Sequence, residues 1–216
     1  NYSIYDSSLV LAMNFNNNAE IGENTTIAVD ISKYGNNGTL TNGAIWNSSG
    51  KFGNAMNFDG VDDYVDIPDS SSLDIANQIT IEAWVYPQDF TKDWQRVVAK
   101  DVETTSSSYT LGLSSENGIY FALYKNSQQY MIGGATALSL NEWNHIVGVW
   151  DGTTMKIFLD GVQQQETMSL SAPITLTDYP VRIGRTVSST RAFKGLIDEI
   201  RIYNRSLSDS EILMHY

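Results

Sequence analysis

The sequence predicts an all-β fold, an antiparallel sandwich or jelly roll with one short helix at its C-terminus. Three observations carry this. "ITIEAWVYP" (79–87) alternates with period two, placing Ile79, Ile81, Ala83 and Val85 on one face and Thr80, Glu82, Trp84 and Tyr86 on the other. "WNHIVGVWDGTTMKIFLDGVQQQ" (143–165) sets β-rich runs around Asp151-Gly152 and Asp160-Gly161, and glycine tolerates the positive φ that tight hairpins demand. The helix signal is confined to "SDSEILMHY", where Ser208 and Glu211 have the spacing of a capping box.

The remaining elements follow in order. "NAMNFDGVDDYVDIP" reads as a run ending at Phe58, an Asp-Gly turn at 59–60, and a second run from Tyr64 to Ile67. After the 79–87 strand come "QRVVAK" (95–100), "SYTLGLS" (108–114) and "GIYFALY" (118–124), the last two joined by a turn over "SENG". The 143–165 stretch forms a three-stranded meander, and "GLIDEIRIY" (195–203) is a further long strand. Residues 16–26 and 32–50 are rich in Asn, Gly and Ser and read as rim loops. Neither an internal repeat nor a linker is visible, so residues 1–216 are expected to form one domain.

Composition narrows the function classes. The formal net charge of −12 repels phosphate backbones and anionic lipid, which argues against nucleic-acid and membrane-surface partners. No apolar run approaches the roughly 18 residues that would span a bilayer. Cysteine is absent, which excludes disulfides and thiolate metal sites. No signal peptide is visible at Asn1, so the chain reads as a mature or excised domain. Acidity with abundant Asn, Ser and Thr fits an extracellular or cell-surface protein. Asn24, Asn37, Asn47 and Asn204 head Asn-x-Ser/Thr sequons.

The acidic run "FDGVDDYVDIPD" (58–69) is first of all turn and strand chemistry: carboxylates at the mouth of a strand accept from free backbone N–H groups. That reading accounts for Asp59, Asp66 and Asp69, and leaves Asp62 and Asp63 as candidate metal ligands.

Four segments in order, "KFGNAMNFDGVDDYVDIPDSSSLD" (51–74), "ITIEAWVYP", "EWNHIVGVWDGTTMKIFLDG" (142–161) and "FKGLIDEIRIYNRSLSDSEI" (193–212), resemble the laminin G-like domains of the concanavalin A-like lectin/glucanase group, in the form found on microbial surface proteins. The resemblance runs from about Leu9 to Tyr216. It implies a concanavalin A-like jelly roll of two curved antiparallel sheets, with "LVLAMNF" (9–15) pairing near "GLIDEIRIY". It also implies a module that binds carbohydrate or protein, often attached to a larger secreted enzyme or adhesin.

Catalysis is not expected. A retaining glycosidase needs two carboxylates roughly 5–5.5 Å apart, and the glucanase branch supplies them from one strand face. Asp198 and Glu199 are sequence neighbours, and Glu82 is followed by Ala and Trp. The lyase branch needs a His and a Tyr by an Arg-rich strand. His145 lies inside an apolar run and His215 in the terminal helix, and two isolated histidines without cysteine do not make a catalytic zinc site.

Sugar recognition by aromatic platforms fits better, because a tyrosine or tryptophan ring matches the apolar face of a pyranose while polar neighbours read hydroxyls. Trp84, Trp143 and Trp150 sit in strands and read as structural. Trp94, in the polar loop "DFTKDWQR", is a candidate ligand contact, as are Tyr124, Asn126, Gln128 and Tyr130 with Lys125 and Gln129 at a hairpin tip. The alternative is adhesion to a surface protein or a structural role in a surface layer.

One structural calcium ion is expected at the rim, since calcium takes six to eight oxygen ligands. "VDISKYGNNGTL" (29–40) offers Asp30, Asn36 and Asn37 on a Gly-rich backbone. It resembles the family's Asp-x-Ser-Gly loop, which carries over Asp30 but departs at Lys33. Asp198 is the second candidate, expected to share a strand face with Leu196, Ile200 and Ile202, where a carboxylate is costly unless neutralised by an ion or hydrogen-bonded to backbone amides. Asp62 and Asp63 are the runner-up site.

Overall fold

The computed structural model describes residues 6–102, 107–115, 118–134, 136–187 and 191–216. The chain begins with β1 (Leu9–Met13), β2 (Ile27–Ala28), β3 (Gly38–Thr41), β4 (Ile45–Asn47), β5 (Ala55–Asp59) and β6 (Tyr64–Ile67). Next come β7 (Ile79–Pro87), β8 (Gln95–Lys100), β9 (Tyr109–Leu113), β10 (Ile119–Lys125) and β11 (Gln128–Gly133). The last part supplies β12 (Asn144–Trp150), β13 (Thr154–Leu159), β14 (Val162–Ser169), β15 (Val181–Ile183), β16 (Lys194–Tyr203) and α1 (Asp209–His215). The turn expected over "SENG" falls on residues 116 and 117, outside the described residues.

These strands form two antiparallel sheets of eight. The first runs β14-β13-β12-β7-β16-β5-β4, with β1 on the same side of β16 as β5; the second runs β11-β10-β9-β8-β15-β6-β3-β2. β1 pairs with β16, Leu9 opposite Tyr203, which sets the two ends of the chain side by side as the sequence led us to expect. The β12–β14 meander turns at its Asp-Gly pairs, with Gly152 at φ 92° and Gly161 at φ 76°. No helix is long and apolar enough to cross a membrane.

The core lies between the sheets. Ile79, Ile81, Ala83 and Val85 of β7 face it together with Ile146 and Trp150 of β12 and Phe121 and Leu123 of β10. Burying each such side chain contributes roughly 1.5–3 kcal/mol, and this is the main force holding the layers together. Gly148 of β12 lets them approach: a Cβ there would fall 2.5 Å from the Phe121 ring.

Two satellite clusters sit on the outer faces. On the first sheet, Val147, Val149, Phe158 and Tyr203 pack under Leu207 and Ile212, which seats α1. That helix starts as expected: Ser208 and Glu211 form the capping box. On the second sheet, Tyr120, Ala122 and Tyr124 collect Trp94 and Met131.

β16 departs from the expected alternation. Its register against β7 shifts between Asp198 and Arg201, with Glu199 at φ 49°. A bulge adds one residue, so the two halves of the strand count faces differently. Ile197, Ile200 and Ile202 face the core. Asp198 therefore does not share the face of Ile200 and Ile202; the bulge corrects that expectation.

Candidate functional site

The outer face of the second sheet carries a groove of about 410 Å³ lined by Asp93, Trp94, Ser114, Ser115, Ile119, Tyr120, Met131, Gly133, Gly134 and Glu166. Its floor follows from strand alternation. Along β10, Ile119, Phe121 and Leu123 enter the core, while Tyr120, Ala122 and Tyr124 point outward. Gly112, opposite Tyr120 on β9, makes room for the outward ring, since a Cβ there would lie 2.5 Å from the Tyr120 hydroxyl.

Trp94 sits just before β8 in a left-handed conformation, φ 59°. This turns its half-buried ring edge-on to Tyr120, with centroids 5.1 Å apart at 78°. Such edge-to-face pairs favour one ring orientation by roughly 0.5–1.5 kcal/mol. The Trp94 carbonyl accepts from Arg96 Nη1 at 2.8 Å, which ties the loop to the strand that follows.

Beneath the rings lies a buried polar network. Arg96 donates to the Tyr120 hydroxyl, and its Nε and Nη2 reach Asp101 Oδ2 at 3.2 and 3.0 Å. Ser107 donates to Asp101 Oδ1 and Thr110 to Oδ2. The Tyr124 hydroxyl accepts from Gln129 at 2.8 Å. Burial pushes the Tyr120 hydroxyl far above its usual range and that of Tyr124 up to about 12, so both stay protonated at neutral pH. The network is internally satisfied and holds the floor rigid. At the rim, Asp93 accepts from Ser115, and Glu166 accepts from the Gly133 amide at 3.2 Å.

Strand alternation divides the ligand contacts read from the sequence. Trp94 and Tyr124 lie on the same outer face, Trp94 in the groove and Tyr124 beyond its lining, with Gln129 opposite Tyr124. Tyr130 lies opposite Leu123 and packs against the core edge. Gln128 accepts weakly from the Tyr130 hydroxyl at 3.3 Å, and Asn126 occupies the exposed hairpin turn at φ 51°. Tyr120 was missed. The signal was present in "GIYFALY", where Tyr120, Ala122 and Tyr124 alternate with the wholly apolar Ile119, Phe121 and Leu123.

Of the structural tryptophans, Trp150 is in the core. Trp84 is buried on the outer face of the first sheet, stacked on Tyr216. Trp143 precedes β12, half-buried against Tyr86.

The metal candidates also separate. Asp30 Oδ1 accepts from the amides of Ala12 and Ser32 at 2.9 and 2.8 Å; Oδ2 accepts from Ser32 Oγ and the Asn36 amide at 2.8 and 2.7 Å. Those bonds occupy about all the acceptor sites a carboxylate has. Asn37 accepts from the Asp30 amide, and Asn36 donates to the Val10 carbonyl and to Ser72. The loop is thereby knotted onto β1. Asp198 is held by a different segment: its oxygens accept from the amides of Phe52 at 3.0 Å and Glu199 at 2.8 Å. Burial pushes its carboxyl up to about 7 against those bonds.

Asp59, Asp62 and Asp63 each place a ligand atom within 4.8 Å of the others. Asp66 and Asp69 have other partners, Arg182 at 2.7 Å and Lys100 at 2.7 Å.

A second polar cluster lies under α1. The buried Glu82 meets Arg201 at 3.0 Å, His215 at 3.0 Å and His145 at 3.8 Å. Glu82 itself is sealed beneath the helix and Tyr216, which stacks on Trp84, while Arg201 and its partner Glu199 line a separate pocket beside β1.

Comparison with known proteins places the architecture. The binding domain of Paraclostridial Mosquitocidal Protein 1 superposes with TM-score 0.77 at 14% identity, over 99% of this chain and 52% of that one. Domain 4 of AbnA, a GH43 extracellular arabinanase from Geobacillus stearothermophilus solved with arabinotriose, gives 0.72 at 22% identity over 96% and 97%. The binding domain of botulinum neurotoxin DC, solved with rat synaptotagmin II, gives 0.71 at 16% identity over 99% and 52%. The chain thus spans about half the length of the toxin binding domains it matches. At these identities the likeness is one of fold. The laminin G-like family model described as concanavalin A-like lectin/glucanases superfamily matches residues 59–213, and the chain belongs to that family.

Proposed function

We propose that this chain is a non-catalytic binding module of a secreted or cell-surface protein, and that it binds a neutral saccharide weakly in the groove beside Trp94. The observation that carries this is the pairing of a half-exposed Trp94 ring with a rigid, hydrogen-bonded floor at Tyr120. The ring offers a stacking surface, while Ser114, Ser115, Asp93 and Glu166 offer polar groups at its edge. Two carboxylates and no basic side chain line the groove among the described residues, so uronic and sialic acids are disfavoured. The AbnA domain solved with arabinotriose supports a saccharide on this fold, and the toxin domain solved with synaptotagmin supports a protein partner as the alternative.

The non-catalytic part of the reading rests on where the acids lie. Asp198 is buried at the bulge, Glu199 beside it is paired with Arg201, and Glu82 is sealed under α1. The groove's two carboxylates, Asp93 and Glu166, are engaged with Ser115 and Gly133. One structural calcium ion, apart from ligand recognition, belongs to the same reading; the carboxylates that hold it are argued below.

Shallow, wet sites of this kind bind at micromolar affinity or weaker, roughly −8 kcal/mol at best. A glycan array followed by calorimetry on neutral oligosaccharides tests the proposal. Binding that Trp94→Ala abolishes supports it. Absence of binding to any neutral glycan overturns it in favour of a surface-protein partner.

A further inference from the structure

We infer that Asp59, Asp62 and Asp63 form a hard-cation site, of the calcium class, where two crossovers between the sheets meet. The inference is independent of the glycan reading. β5 lies in the first sheet and β6 in the second, so residues 59–63 carry the chain from one layer to the other. β3 and β4 do the same through residues 42–44. The two crossovers touch: Asn42 donates to the Asp62 carbonyl at 3.2 Å, and Asp63 points at Gly43.

Asp63 is the anchor. It is only 3% exposed. Its Oδ2 accepts from the Asp59 amide at 2.8 Å, yet its Oδ1 is buried with no hydrogen-bond partner. A buried carboxylate oxygen left bare is costly. The space before it is kept open by Gly43, at φ 126°, where a Cβ would fall 2.7 Å from Oδ1. Any larger residue would fill that slot. Asp62 is half-buried and Asp59 exposed, so the cluster opens to solvent on one side and closes on Asp63 on the other.

Like charges this close repel unless neutralised. Lys92 donates to the Gly60 carbonyl beside the cluster, Arg185 donates to that of Asp62 at 3.5 Å, and Lys194 pairs opposite Asp59. Ligand atoms that are all oxygen, three of them carboxylate, select calcium or another hard divalent ion over zinc or copper. An ion there ties the two crossovers and so clamps the sheets at this end.

The test is calorimetric titration of the EDTA-stripped chain with calcium, paired with thermal melts. Wild type is expected to take up one ion at a Kd of roughly 0.1–1 mM. Where the Kd lies near 0.1 mM, about 10 mM calcium raises Tm by about 5–10 °C. Asp62→Asn, a half-exposed change that leaves the Asp63–Asp59 hydrogen bond intact, is expected to weaken uptake at least tenfold. Asp30→Asn is expected to leave the affinity unchanged. Manganese(II) as a paramagnetic probe locates the ion, by broadening the amide signals of Gly43, Val61 and Asp62. No calcium uptake by wild type, wild-type affinity in Asp62→Asn, or broadening centred on residues 30–37 would each overturn the assignment.

Discussion

His215 Nδ1 lies 3.0 Å from the carboxylate of Glu82, joining the last turn of α1 to the centre of β7. One residue later Tyr216 stacks on Trp84, 5.6 Å between centroids. Glu82 is fully buried and also holds Arg201. Burial alone would raise its carboxyl; the His215 hydrogen bond and the Arg201 charge more than offset this, and it lies below the usual range. Glu82→Ala removes the shared partner of Arg201 and His215 and is expected to cost about 3–5 kcal/mol in urea unfolding. His215→Ala, at a partly exposed position, is expected to cost far less. Equal losses in the two variants would contradict a network centred on Glu82.

The pH dependence of stability has two opposed components. His145 is buried against Trp84, and burial lowers its imidazole from 6.5 to about 4. Between those values the unfolded chain binds a proton that the folded chain does not, so this contribution is lost as pH falls from 6.5 to 4. Asp198 acts in the other direction. With its carboxyl raised from 3.8 to about 7, the folded chain holds the extra proton, and its contribution is lost as pH rises through 7. Relative to wild type, His145→Gln should gain stability toward acid, and Asp198→Asn should gain it toward neutral pH. Each difference is on the order of 3 kcal/mol across its window. Denaturant midpoints at half-unit pH steps check both slopes; a parallel profile in either variant would refute that assignment.

The groove and the hairpin edge should respond differently to mutation. Trp94→Ala is expected to lower saccharide affinity at least tenfold, about 1.4 kcal/mol, with little change in Tm. Tyr130→Ala is expected to leave affinity intact and to cost about 1 kcal/mol of stability, because Tyr130 packs at the core edge. Calorimetry and melts on both variants measure this. A loss of affinity in Tyr130→Ala alone would move the site to the other face of β10 and β11.

Gly112→Ala probes the floor itself. The added methyl would meet the Gln95 carbonyl at 2.2 Å and the Tyr120 hydroxyl at 2.5 Å. The strand or the ring must shift, at a cost of about 1–3 kcal/mol. The Trp94–Tyr120 contact should loosen, which tryptophan fluorescence would register as a change absent from Gly133→Ala, where the nearest atom is 3.7 Å away.

The sequence by itself determined the long strands, the meander turns and the capped helix, because period-two alternation, Asp-Gly pairs and the Ser208–Glu211 box are local properties; it read residues 32–50 as a rim loop, where the short β3 and β4 form by pairing with β6 and β5. It also marked Trp94, an aromatic in a polar loop. What it left open depends on registry between distant segments. The bulge at Glu199 left Asp198 on the outward face with Leu196 and turned Ile200 and Ile202 into the core, since one extra residue reverses every face beyond it. Pairing across β10 and β11 set Tyr124 and Tyr130 back to back, although six residues of one hairpin had read as a single cluster. Tertiary structure alone brought Trp94 to Tyr120, Glu82 to His215, and Gly43 to Asp63. Those contacts join a loop to a strand two places away in one sheet, a terminal helix to a strand, and one crossover to another. Neither member of any pair carries a local signal of the other.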